Sequence, residues 1–152
     1  MINVNVEVIS KPWLREIKNP EKYLKKNLKK ISKKIKFYKS KNLIFTILLT
    51  NSLNMKRLNK KFRKKNKPTD VLSFSSFSKK KLGLTREKNI YLGDIAISFD
   101  IIYSRSKKKN FLLEFNKVWI HGFLHLLGYD HLKNKDYYEM DKMEKRILNL
   151  IW

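Results

Sequence analysis

The chain has 152 residues, no cysteine and a hydrophobic fraction of 42%, which fits one globular domain spanning residues 1–152 and excludes disulfide or thiol chemistry. A formal net charge of +23, from 36 basic and 13 acidic residues, calls for a polyanionic partner. No apolar run reaches membrane-spanning length, and Met1 to Glu7 lacks the basic-then-apolar order of a signal peptide, so no membrane association and a cytoplasmic location are expected.

Ile2, Val4, Val6 and Val8 alternate with Asn3, Asn5 and Glu7, the period of a half-buried strand. Asn19-Pro20 is a helix start, with Asn as cap and Pro in the first turn. Leu24, Leu28, Ile31 and Ile35 then form one apolar stripe, backed by a lysine face over residues 25 to 36. Leu43 to Leu49 is a nearly continuous apolar run, expected as a central strand. Asn51 or Ser52 caps the next helix, with Met55, Leu58 and Phe62 inward. Pro68 biases Lys67 away from helix. Thr69 to Phe74 is a third strand, Ser75 to Asn89 a polar, lysine-bearing loop, and Tyr91 to Ser98 a fourth strand. Gly93 within it suggests a bulge or a close backbone approach. Ser98 caps a helix through Tyr103, and Arg105 to Lys109 is a basic tract. A buried helix follows from about Phe111, and a last amphipathic helix runs from about Asp136 to Leu150 with Met140, Met143 and Ile147 inward. The order β-α-β-α-β-β-α-α-α predicts an α+β domain with one mostly four-stranded sheet.

All three histidines fall in His121-Gly-Phe-Leu-His125-Leu-Leu-Gly128-Tyr-Asp-His131. His121 and His125 are four residues apart, on one helical face one turn apart. Gly128 supplies a helix stop, after which the chain can bring His131 back. Three imidazoles without cysteine are the donor set of an open zinc site. A structural site would need a fourth ligand, and only a carboxylate such as Asp130 offers one. A metallopeptidase reads H-E-x-x-H, with Glu as general base. Gly122 stands in that place, which argues against peptide hydrolysis. The glycine leaves room beside a metal or permits close helix–sheet packing; the sequence leaves both open.

A bound metal can activate water without a neighbouring Glu, and phosphodiester cleavage also needs positive charge on the non-bridging oxygens. Arginine suits that role, because its fork grips two phosphate oxygens. Arg63, in Phe62-Arg-Lys-Lys-Asn-Lys-Pro-Thr-Asp-Val71, is the candidate. Thirty of the 36 basic residues are lysine, as the drift of an AT-rich genome would produce. Drift alone would not account for their placement: residues 1–93 hold 26 basic and 5 acidic residues, whereas 94–152 hold 10 and 8. Together these features point to cleavage of a nucleic acid.

The histidine motif resembles the signature of the YbeY family of bacterial endoribonucleases and rRNA maturation factors. Lys67-Pro-Thr-Asp-Val-Leu-Ser-Phe74 resembles that family's second motif, with Arg63 on its arginine. Leu92-Gly-Asp-Ile95 resembles the strand after it, and Met140 with Glu144 resembles the C-terminal helix. The resemblance covers residues 45 to 148. Phe62, Lys64, Asn66 and Ser75 depart from it, where tyrosine, glycine, aspartate and proline are usual.

The resemblance implies a zincin-like fold, with one Zn2+ held by His121, His125 and His131. It implies single-strand-specific RNA cleavage at the 3′ end of 16S rRNA, ribosome quality control, and the small ribosomal subunit with its associated proteins as partners. Arg63 and His121 are the expected catalytic residues, Arg63 neutralising the phosphate. Asp130 is expected to orient an imidazole or a metal-bound water, and Tyr129, Asp70 and Asp94 are candidate site neighbours. Two other readings compete: a ribosome-associated RNA-binding assembly factor with a mainly structural zinc, and a metal-dependent hydrolase with a non-RNA substrate.

Overall fold

The computed structural model describes residues 1–107 and 110–152. Four strands, β1 (Ile2–Val8), β2 (Asn42–Thr50), β3 (Val71–Ser75) and β4 (Asn89–Ser98), form one sheet in the order β1-β2-β4-β3. β1, β2 and β4 run parallel, and β3 closes one edge antiparallel to β4. The helices are α1 (Trp13–Glu16), α2 (Pro20–Lys34), α3 (Ser52–Arg63), α4 (Lys79–Leu84), α5 (Phe99–Ser106), α6 (Phe111–Leu126) and α7 (Asn134–Ile151). This is the expected α+β class with a mixed four-stranded sheet. Among the described residues no helix is long and apolar enough to cross a membrane. The last two lysines of the Arg105 to Lys109 tract lie outside the described residues.

The helix starts follow the caps. The Asn19 Oδ1 accepts from the Lys22 N–H at 2.9 Å, with Pro20 in the first turn of α2. Asn51, not Ser52, caps α3 through the Asn54 N–H at 3.0 Å. Each such cap contributes about 1 kcal/mol. Ser98 does not cap α5; its hydroxyl lies 3.0 Å from that of Ser52. The stripe of α2 is buried against the sheet, together with the inner face of α6. Each fully buried Leu or Ile of this kind contributes about 1.5–3 kcal/mol. α3 covers part of the opposite face, where Met55 meets Leu72 and Ala96.

Two short helices interrupt the expected order. α1 carries Trp13, which is fully buried, sits edge-on to Phe99, Phe111 and Phe115, and donates its indole N–H to the Thr50 carbonyl at 2.9 Å. α4 replaces the middle of the expected Ser75 to Asn89 loop. Ser78 caps it and Leu82 is fully buried. Phe62 was expected inward but is 56% exposed, because the C-terminal end of α3 runs out beyond the small Met55 cluster. Gly93 does mark a bulge: β2 pairs Ile44 with Tyr91 and Phe45 with Gly93, leaving Leu92 as the extra residue. Its φ is +128°, and a Cβ there would lie 2.0 Å from the Phe74 carbonyl oxygen.

Candidate metal centre

α6 is buried over most of its circumference: Phe115, Trp119, Phe123, Leu124 and Leu126 are all fully buried. His121 and His125 occupy its one half-open face. The helix ends as the glycine foretold. Gly128 has a φ of +87°; its N–H donates to the His125 carbonyl at 2.9 Å, and the Tyr129 N–H donates to the Leu124 carbonyl at 3.0 Å. This paired bonding is the Schellman closure. It reverses the chain so that His131 returns over the other two imidazoles. The His131 ring centroid lies 5.7 Å from that of His121 and 5.0 Å from that of His125.

One nitrogen from each histidine falls within 4.8 Å of the other two, so the three can hold a metal ion. The geometry also fixes which nitrogens face inward. Nδ1 of His121 lies 2.7 Å from Glu144 Oε1, and Nδ1 of His125 lies 3.0 Å from the Tyr129 carbonyl oxygen. Both partners are acceptors, so each Nδ1 carries a proton, and in the neutral ring each Nε2 presents a bare lone pair. Those two Nε2 atoms stand 3.1 Å apart. Two lone pairs so close repel unless a cation lies between them. The spacing is near the tetrahedral edge of about 3.3 Å that Zn–N bonds of about 2.0–2.1 Å would set.

Burial, then the charges of His121 and His131, holds the His125 pKa below the usual histidine value, with the Tyr129 backbone bond acting the other way. His125 is thus kept neutral, as a ligand must be. Burial raises the Tyr129 phenol pKa.

The histidines stand in a cleft of about 520 Å³ whose walls also carry Arg63, Asp70, Ser73, Ser75, Tyr129 and Asp130. Arg63 is the last residue of α3; it is exposed, and no carboxylate pairs with it among the described residues. Asp70 is committed elsewhere. Its carboxylate takes an ion pair from Arg105 at 2.5 Å and accepts from the Val71 N–H at 2.8 Å. Asp94 is not on the cleft wall. It accepts from the Tyr91 hydroxyl at 2.7 Å, on the sheet face opposite the histidines. Asp130 accepts from the His131 backbone N–H at 2.7 Å but lies 3.8 Å from its Nδ1, so it shapes the turn rather than holding the ring. The carboxylate that does hold an imidazole is Glu144, which sequence reasoning left without a role. It lies one turn after the buried Met140, and that spacing was the available signal.

Gly122 resolves in favour of packing. A Cβ there would lie 2.8 Å from Ile95 Cγ2 and 3.1 Å from the Ser73 hydroxyl, so the glycine lets α6 settle on the sheet. The Ser73 hydroxyl donates to the Gly122 carbonyl at 3.2 Å and that of Ser75 to the His125 carbonyl at 3.3 Å. β3 thereby anchors the histidine turn of α6.

The family model described as Endoribonuclease YbeY matches residues 9–151. The chain belongs to the YbeY family. A protein named Endoribonuclease YbeY from Pelagibacter ubique (strain HTCC1062) is 46% identical over 99% of this chain and 97% of its own length. Another of that name from Ehrlichia canis (strain Jake) is 36% identical over 96% of this chain and 91% of its own. The solution structure of a Thermotoga maritima protein matches with a TM-score of 0.63 and 28% identity, covering 100% of this chain and 89% of that one.

The departures from the YbeY pattern replace neither a histidine nor Arg63, and of the four only Ser75 lines the cleft. Lys64, where glycine is usual, takes the left-handed conformation at φ 57°, ψ 26° and ends α3. A non-glycine residue there costs about 1–2 kcal/mol, which gives the usual glycine its physical reason. Ser75, where proline is usual, contributes the hydroxyl bonded to His125.

Proposed function

We propose that this chain, folded as one domain over residues 1–152, is a zinc-dependent, single-strand-specific endoribonuclease. On this reading its substrate is the 3′ end of 16S rRNA. Its setting is ribosome biogenesis and quality control on the small subunit, with that subunit's proteins as partners, in the cytoplasm. Family membership supports the RNA substrate, and the all-imidazole donor set supports zinc. The observation that carries the reading is the convergence of three imidazoles, two of their Nε2 atoms 3.1 Å apart, in a cleft that also presents Arg63, unpaired among the described residues.

His121, His125 and His131 would hold the ion. The chemistry it supplies when bound is Lewis-acid polarisation and the acidification of water. Arg63 grips the non-bridging phosphate oxygens and offsets the charge that develops on them. Glu144 and the Tyr129 carbonyl keep two imidazoles in the tautomer that faces inward. Arg105 neutralises Asp70, which would otherwise repel a phosphate on the same wall. The cleft is open, so an extended single strand can enter where a stacked duplex would not unpair.

The test is cleavage of unstructured RNA against the same sequence annealed as a duplex, with His121→Ala and Arg63→Ala beside the wild type. Loss of cleavage in both variants with the fold retained supports the reading. Equal residual cleavage in wild type and His121→Ala identifies a contaminant and leaves binding as the activity.

A further inference from the structure

Phe62 is an exposed aromatic ring in an unusual setting. It follows the helical spacing of the buried Met55, yet it stands 56% exposed at the C-terminal end of α3. It is nonetheless held in place: its centroid lies 5.0 Å from that of Phe74 at an interplanar angle of 63°, a favourable edge-on pairing. Around it Lys60, Lys61, Lys64, Lys65 and Lys67 are all exposed, and none pairs with a carboxylate among the described residues. Lys61 Nζ lies 5.3 Å from the ring centroid.

We propose that Phe62 is a stacking platform for a nucleobase of the RNA strand whose phosphate Arg63 holds. The proposal rests on the endoribonuclease reading above. The ring sits on the α3 face of the sheet, opposite the histidines, and its place in the chain ties it to the cleft. Arg63, which lines the cleft, follows it directly, and Phe74, against which it packs, belongs to edge strand β3, whose Ser73 and Ser75 point to the cleft while Phe74 points to the α3 face. β3 is the edge of the sheet, so a strand leaving the cleft across that edge reaches the ring without crossing another strand. The charge selects the partner. An apolar protein surface would have to bring its own anions to five unpaired lysines, whereas a nucleic acid carries a phosphate beside every base. Lys61 moves from the ring to such a phosphate as the base takes its place. A stacked base offers its face rather than its hydrogen-bonding edge, so the site accepts any of the four bases and requires only that the base be unpaired.

The experiment compares wild type, Phe62→Ala, Phe62→Leu and Phe62→Trp as full chains, zinc-loaded for cleavage and chelator-stripped for binding. The substrates are a series of unstructured RNA oligonucleotides, each with one abasic nucleotide at a different position. Cleavage is followed as kcat and KM, and binding to the same oligonucleotides by anisotropy in chelator. Phe62→Ala is expected to weaken binding on the order of tenfold, to raise KM with kcat little changed, and to keep the wild-type melting temperature to within a few degrees. Phe62→Trp restores binding and Phe62→Leu does not. One abasic position reproduces the loss in wild type and adds nothing in Phe62→Ala. The proposal is overturned if Phe62→Leu binds like wild type, or if every abasic position costs Phe62→Ala as much as it costs wild type. Should Phe62→Ala and Phe62→Trp both unfold, the abasic series in wild type still decides: no position-dependent loss of binding overturns it. If wild type fails to cleave while the binding pattern holds, the endoribonuclease reading falls and the base platform stands.

Discussion

The Glu144 carboxylate reaches across from α7 to Nδ1 of His121 at 2.7 Å, joining two helices whose residues lie 23 positions apart. That contact puts a proton on Nδ1 of the first histidine and ties the last helix to the histidine cluster. Glu144→Gln keeps the shape, but its amide can present either a donor or an acceptor to Nδ1. Metal affinity is expected to fall by about 10–100-fold, measured by competition with a calibrated chelator. Unchanged affinity would remove Glu144 from the centre.

Arg63 lines the same cleft as the histidines but supplies no ligand nitrogen. Arg63→Ala is therefore expected to lower RNA cleavage by about 10²–10³-fold while the metal content stays at the wild-type level. Arg63→Lys keeps the charge but not the two-pronged grip, so its rate should fall between the two. A lysine variant as fast as wild type would reduce Arg63 to a general positive charge.

Gly122 bears on the fold rather than on the reaction. Alanine there gains about 1 kcal/mol in helix propensity but drives a methyl to 2.8 Å from Ile95 Cγ2. Overpacking of that kind costs about 1–3 kcal/mol, so Gly122→Ala is expected to lower the melting temperature. A more stable single variant would place the glycine's purpose elsewhere.

Acid should act through His125, whose folded pKa lies below the usual 6.5. The unfolded chain then binds the proton first, so the metal-free protein loses stability as pH falls from about 6.5 toward that lower value. Melting temperatures of chelated protein across this range test it, with His125→Asn showing the shallower slope. A flat profile in wild type would contradict the burial of His125.

The histidine cluster was legible because its three imidazoles and its turn glycine sit in one window of eleven residues, where helical spacing and the glycine stop act locally. The sheet strands and the long helices were legible for the same reason, through alternation and the apolar stripes. α1 and α4 span 4 and 6 residues, too few for any period to show. Phe62 kept the helical spacing of Met55, but how far the sheet extends beneath α3 is a tertiary fact. Asp94 lies on the far face because of the register it takes against β2 and β3. The bulge at Leu92 also brings Tyr91, three residues earlier, to the same side. Glu144 comes from another helix altogether.

The most direct measurement is a metal titration of chelator-stripped protein, with bound zinc and the rate of cleavage of unstructured RNA read on the same samples. Cleavage is expected to rise in proportion to bound zinc and to level off at one ion per chain, with His121→Ala and His125→Ala binding less and cleaving nothing. Stripped protein that cleaves as fast as the loaded chain, or a chain that binds no zinc, would contradict the central claim.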